Sequence, residues 1–246
     1  MENNTETKQF INDSKNIYLI PGKEPATIAC TLALFYTLKE IGKNVNLIIE
    51  NFPETLNFLT PSLDFVSYPK NFVVSIPTKT AEVSQIYYEK NDEALKIHLM
   101  IENGIIKKDD INFYFSEEKP DLIITLGIKD YQSQLAGKLN SFGFLLDSPI
   151  LNIDNSQDNK NFGKINLTDN LSITEITLDL LKDLNSSFNK NSANCLLSGL
   201  IIYTDNFKNF NVTANIFEVA GYLMKNGAEL NIIKENFHRV YSIEAI

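Results

Sequence analysis

The spacing of apolar positions changes along this chain, and each change predicts a different kind of element. Asn16-Ile17-Tyr18-Leu19-Ile20 is a short apolar run of strand length, broken by Pro21-Gly22. From about Glu24 to Ile41 the period lengthens: Ile28, Leu32, Phe35 and Leu38 fall on one helical stripe, and Gly42 supplies a stop. Val45 to Ile49 returns to strand character. Strand, helix and strand in that order read as a βαβ unit, which implies a parallel sheet with a right-handed crossover.

The middle of the chain alternates instead. Asn71 to Ile76 is strand-like, and Val83 to Glu89 and Leu95 to Ile101 flank Asn91-Asp92, which predicts a hairpin. Ile111 to Phe115 adds a further strand, so residues 70–118 are expected to form a β-rich insertion. Tyr87, Tyr88 and their apolar neighbours read first as core, with an exposed sticky face as the alternative. Parallel-sheet patterning resumes at Asp121 to Leu126, a helix is expected over Tyr131 to Leu139, and Ile150, Leu151 and Ile153 mark a strand ending in Asp154. In the last third, Ile173, Ile176, Leu180 and Leu184 form one helical stripe, with Asp169 or Asn170 available as its cap. Ile216, Val219, Ala220 and Leu223 form another, stopped by Gly227, whereas Cys195 to Ile202 reads as strand from its β-branched content. Residues 1–14 are polar and are expected to be a disordered tail ahead of one domain, 15–246.

Composition narrows the function classes. The 246 residues, 43% of them hydrophobic, suffice for a real core. The charge of −9 argues against extended nucleic-acid or anionic-membrane binding, and Arg239, the only arginine, leaves almost no bidentate phosphate clamp. No run approaches the roughly 18 apolar residues of a membrane span. The chain shows no signal-peptide pattern, and Cys30 and Cys195 sit in apolar surroundings, so it reads as a cytoplasmic protein with reduced core cysteines. His98 and His238 have no nearby set of Cys, Asp and Glu at ligand spacing and read as structural or surface residues. Gly22 stands alone between strand and helix and reads as a turn glycine.

The candidate chemistry lies in Asn152-Ile153-Asp154-Asn155-Ser156, followed by Asn161-Phe162-Gly163. This resembles the "-NIDHH-x-x-N-x-x-F-G-" signature of the DHH phosphoesterases, with Asn155 and Ser156 where the histidines belong. The first family motif, "-H-x-x-P-D-x-D-A-I-G-S-x-L-A-L-", resembles the stretch around Ile28-Ala29-Cys30-Thr31-Leu32-Ala33-Leu34, with Ile20 at the His, Glu24 at the first Asp and Ala26 at the second. Asp121 to Leu126 is similar to the second-motif strand, but Gly127 takes the ligand position. Gly199-Leu200-Ile201-Ile202-Tyr203-Thr204-Asp205-Asn206-Phe207 resembles "-G-I-x-x-D-T-x-x-F-", with Tyr203 at the Asp, and Gly227-Ala228-Glu229 resembles "-G-A-D-".

The resemblance implies an α/β, Rossmann-like DHH domain with a mainly parallel sheet flanked by helices and a β-hairpin insertion. It also implies helix, not strand, at Cys195 to Ile202. Family members hydrolyse phosphoester or phosphoanhydride bonds with two Mn²⁺ or Mg²⁺ ions about 3.5–4 Å apart. The matching positions here are Ile20, Glu24, Ala26, Gly127, Asp154, Asn155, Ser156 and Tyr203. Two carboxylates and an amide do not make two such sites, and Ile20 and Tyr203 would fill the space of the ions. These positions are therefore expected to be vestigial, with no catalytic residue, metal or cofactor. Asp154 is expected to accept backbone N–H groups of its turn, and Glu24 to favour the N-terminus of its helix. The weaker alternative is a cation on Glu24 and Asp154. Active members add a C-terminal substrate-binding domain, which is expected to be absent here.

The function expected is that of a catalytically degenerate DHH-like protein acting through a protein partner or self-association. The alternative is a residual Mn²⁺- or Mg²⁺-dependent phosphoesterase of nanoRNase or pAp-phosphatase type, or a nucleotide-binding module, with Asp158 or Asp205 as supplementary groups.

Overall fold

The computed structural model describes residues 2–49, 51–60, 71–116, 119–135, 148–184 and 189–243. Its elements are α1 (Glu2–Asp13), β1 (Asn16–Pro21), α2 (Pro25–Glu40), β2 (Asn44–Leu47), a 3-10 helix (Glu54–Leu59), β3 (Asn71–Ser75), β4 (Ala81–Lys90), β5 (Leu95–Gly104), a 3-10 turn (Lys108–Asp110), β6 (Asn112–Ser116), β7 (Leu122–Leu126), α3 (Tyr131–Gln134), β8 (Ile150–Asp154), β9 (Ile165–Thr168), α4 (Ile173–Asp183), α5 (Lys190–Tyr203), α6 (Ala214–Lys225) and α7 (Leu230–Ile243). They divide into two compact units, Met1–Ser67 with Lys119–Ile246, and Tyr68–Glu118.

The larger unit is an α/β, Rossmann-like domain built on a five-stranded sheet in the order β2-β1-β7-β8-β9, every neighbouring pair parallel. Parallel strands buried on both faces need continuous apolar runs, and Leu122 to Leu126 supplies one buried at every residue. Alternate side chains take opposite faces. Ile17 and Leu19 join the main core with Leu122, Ile124 and α2, while Tyr18, Ile20 and Ile123 form a second cluster with Ile128 and Leu135. The chain leaves β1 for β2 on one side and later places β7 on the other, so the topological switch point lies between β1 and β7.

Helix α2 starts with Pro25 in its first turn and is buried on all sides from Thr27 to Leu38. Its polar side chains are paired accordingly: Thr37 Oγ1 lies 2.8 Å from Ser192 Oγ, and Thr31 Oγ1 donates to the Thr27 carbonyl. Gly199 lets α5 cross close by, since a Cβ there would sit 3.1 Å from both Cys30 Sγ and Thr174 Oγ1.

The structure corrects several expectations. Residues 1–14 are not a tail: α1 buries Thr7 and Ile11, four residues apart, and Ile11 joins the main core. Lys43 Nζ fixes the end of that helix by donating to the Asn12 and Ser14 carbonyls. Cys195 to Ile202 lies within α5, where burial against α2 overrides β propensity. Strand β9 has only four residues, too few for periodicity to reveal. The expected helix at Tyr131 is described only to Gln134, and its remainder over 136–139 lies outside the described residues.

The cap of α4 is neither Asp169 nor Asn170. Ser172 Oγ accepts from Glu175 N at 3.2 Å, and Glu175 Oε2 accepts from Ser172 N at 2.8 Å, a reciprocal capping box that Ser-x-x-Glu spells in the sequence. Ser172→Ala is expected to cost about 1–2 kcal/mol in urea unfolding with an unchanged m-value.

The smaller unit carries two antiparallel pairs, β3 with β6 and β4 with β5. The β4–β5 turn is held by Asn91, whose Oδ1 accepts from Glu93 N and Ala94 N. Ile86 stands opposite Leu99, Tyr88 opposite Ile97 and Lys90 opposite Leu95, so these six share one face of the ribbon. On the other face Tyr87 stacks on His98 at 4.6 Å. The core reading of Tyr87 and Tyr88 is overturned: they are 49% and 73% exposed, because a lone two-stranded ribbon offers neither face a covering layer.

Candidate functional site

In a doubly wound sheet, ligands sit at the carboxyl ends of the strands, in the crevice at the switch point. At that point the β1–β7 and β7–β8 ladders run one residue past their strands. Gly22 N, just past β1, donates to the Leu126 carbonyl at 2.7 Å, and Gly127 N, just past β7, donates to the Ile153 carbonyl at 2.8 Å. A Cβ on Gly22 would lie 2.4 Å from the Gly127 carbonyl oxygen. Gly127 has φ +62, and a Cβ on it would lie 2.8 Å from Thr27 Oγ1. Gly22 is thus a close-approach glycine, required by the strand beside it.

The eight positions that match metal ligands by spacing lie in several places around this point. Ile20 is buried with Tyr18 and Ile128, whereas Tyr203 ends α5 and packs against the main core, so the two fill separate places and not one cleft. Glu24 is the exposed N-cap residue of α2, and its side chain makes no capping hydrogen bond. Ala26 lies in the first turn of α2, its carbonyl facing Gly199. Asn155 and Ser156 are half-buried in the turn after β8, where Ser156 Oγ accepts from Asp158 N at 3.3 Å.

Asp154 is 2% exposed at the end of β8. Its carboxylate takes a side-chain amide and not the backbone N–H groups expected of it: Asn159 Nδ2 donates to Oδ2 at 2.7 Å. The same amide group donates to the Ile128 carbonyl at 2.9 Å, while Asn159 Oδ1 accepts from Asn152 Nδ2 at 3.0 Å and Asn161 N at 2.7 Å. Thr125 Oγ1 completes the row by donating to Asn152 Oδ1 at 2.8 Å. The sequence assigned no role to Asn159, Asn152 or Thr125; a cluster of asparagines around one acidic strand end was the available signal. Asn161 takes φ 48, and Asn166 brackets Gly163, accepting from its N–H and donating to its carbonyl.

Beside this turn lies a polar cavity of about 310 Å³ lined by Ser156, Gln157, Asn159, Asn161, Asp169 and others. Asp158 is exposed, and Asp205 belongs to a different cavity of about 290 Å³ with Lys208, Lys234 and His238. Asp205, Asn206 and Phe207 run left-handed in succession after α5, with φ 47, 55 and 63.

The donor set does not fit two divalent ions. Among the described residues, no three His, Cys, Asp or Glu side chains group closely enough to hold a metal. Asp154 already faces an amide N–H, and Glu24 stands at the positive end of the α2 dipole, which disfavours a cation. Nor is there a ready thiolate: burial pushes the Cys30 thiol from 9.0 up to about 12, against a hydrogen bond from Thr174, and burial likewise raises Cys195 well above the usual range.

No helix among the described residues is long and apolar enough to cross a membrane. No protein-family model matches the chain, and no curated protein matches it. Among solved structures the chain is similar to an exopolyphosphatase-related protein from Bacteroides fragilis, at 13% identity and a TM-score of 0.67, covering 97% of this chain and 60% of that one. The chain therefore spans 60% of the length of that structure, and the likeness shows the fold that the two share, a Rossmann-like α/β domain.

Proposed function

We propose that this chain is a degenerate DHH-phosphoesterase-like domain that performs no hydrolysis and serves an interaction or regulatory role. One observation carries the reading: at the switch point the Gly22 and Gly127 backbones close on each other, and the surviving Asp154 is committed to Asn159. A two-metal site needs several hard oxygen ligands, and the matching positions supply too few. Fold likeness alone does not restore an activity.

The test is a thermal-shift series with Mn²⁺, Mg²⁺ and nucleotides, run beside hydrolysis assays on pAp, short RNA and cyclic dinucleotides. No metal-linked shift and no turnover above background are expected. Metal-dependent turnover that disappears in Asp154→Ala would overturn the reading. That variant is expected to unfold about 1–3 kcal/mol earlier instead, because Asn159 loses its charged acceptor, with background hydrolysis unchanged.

The polar cavity beside Ser156 and Asp169 favours a second reading, a residual nucleotide-binding module at the ends of β8 and β9. Saturable stabilisation by a nucleotide without metal would select it.

A further inference from the structure

Apolar exposure in this protein is concentrated in one place. The unit Tyr68–Glu118 carries exposed Ile86, Tyr88, Leu95 and Ile97 at 70%, 73%, 61% and 55%, and Ala81 is the single buried residue among those of the unit whose burial is described. The β4–β5 ribbon gathers these four side chains with Leu99 on one face. Its opposite face carries Gln85, Glu89, Lys96 and the Tyr87–His98 stack. A two-stranded ribbon with no layer over its apolar face is at best marginally stable in water. Contiguous apolar patches of this kind mark interaction surfaces.

We infer that the apolar face of β4–β5 pairs with the same face of a second copy of this chain. The inference deepens the interaction role proposed above and names its surface. The area selects a second copy as the occupant. Covering these side chains in both copies removes on the order of 1,000 Å² of surface, near the lower bound for a specific interface. Two identical apolar faces meeting about a two-fold axis form an isologous interface, in which each copy presents the same patch to the other.

The test is sedimentation velocity on the full chain across about a hundredfold range of concentration. The wild-type chain is expected to dimerise reversibly. Ile86→Lys with Tyr88→Lys should raise the dimer dissociation constant by about tenfold or more, while Met100→Lys, on the opposite face, should leave it unchanged. A wild-type chain that stays monomeric throughout, or a dimer that survives Ile86→Lys with Tyr88→Lys, overturns the inference. Hydrolysis plays no part in this readout, so failure here leaves the non-catalytic reading standing, and metal-dependent turnover leaves the dimer standing.

Discussion

Gly22→Val is expected to lower the unfolding free energy by about 3 kcal/mol, at the upper end of what overpacking costs. The reason is that neither side of the contact can yield. A Cβ on Gly22 meets the Gly127 carbonyl oxygen at 2.4 Å, and that oxygen is backbone, not the end of a pliable side chain. Gly127 is itself fixed by its bond to Ile153 and by Thr27 behind it. Gly22 N is bonded to the Leu126 carbonyl at 2.7 Å, so retreat breaks the ladder joining β1 to β7. Urea unfolding followed by circular dichroism measures the effect. A loss below about 0.5 kcal/mol, the range of an ordinary surface substitution, would mean that this contact is slack and is not a constraint.

Leu32→Ala should be costlier, at about 3–5 kcal/mol. Leu32 is fully buried on a helix that is itself covered on all sides, between the sheet and α5, so neighbours cannot collapse into the void. Against the 5–15 kcal/mol typical of whole domains, that leaves a marginal fold. Calorimetry on Leu32→Ala beside Ile232→Ala, where the side chain is 45% exposed, separates the cavity term from helix propensity. Equal shifts in the two variants would show that α2 is less tightly enclosed than its burial indicates.

The sheet was legible because burial on both faces writes itself as unbroken apolar runs: Ile17 to Ile20 and Leu122 to Leu126 could be little else. Helix α1 was not, because among its residues whose burial is described only Thr7 and Ile11 are buried, too few to set a period. The hairpin's existence followed from Asn91-Asp92, but its exposure did not. Alternation shows that one face is apolar and says nothing about whether anything lies over it. For the candidate site, motif spacing marked eight positions but could not show which of them come together. The close approach of Gly22 to Gly127 stayed hidden, since a glycine carries no side chain to announce which backbone comes near it. Asn159 was hidden for a related reason: asparagine reads as a turn former, while its partners Ile128 and Asn152 come from elsewhere in the sheet.

The parallel order of the sheet also sets a timetable for folding. The N–H of Asn16 reaches the Asp121 carboxylate across 105 positions of sequence, and β1 and β7 pair in the register that contact begins. A loop that long must close before the central strand pair earns any ladder bonds, whereas the ribbon β4–β5 lies inside the loop and needs only its own turn. The ribbon can therefore form while the sheet that should follow is still open. For that interval a nascent chain displays Ile86, Tyr88 and Ile97 before its sheet has closed, and chains on neighbouring ribosomes of one messenger would meet through them first.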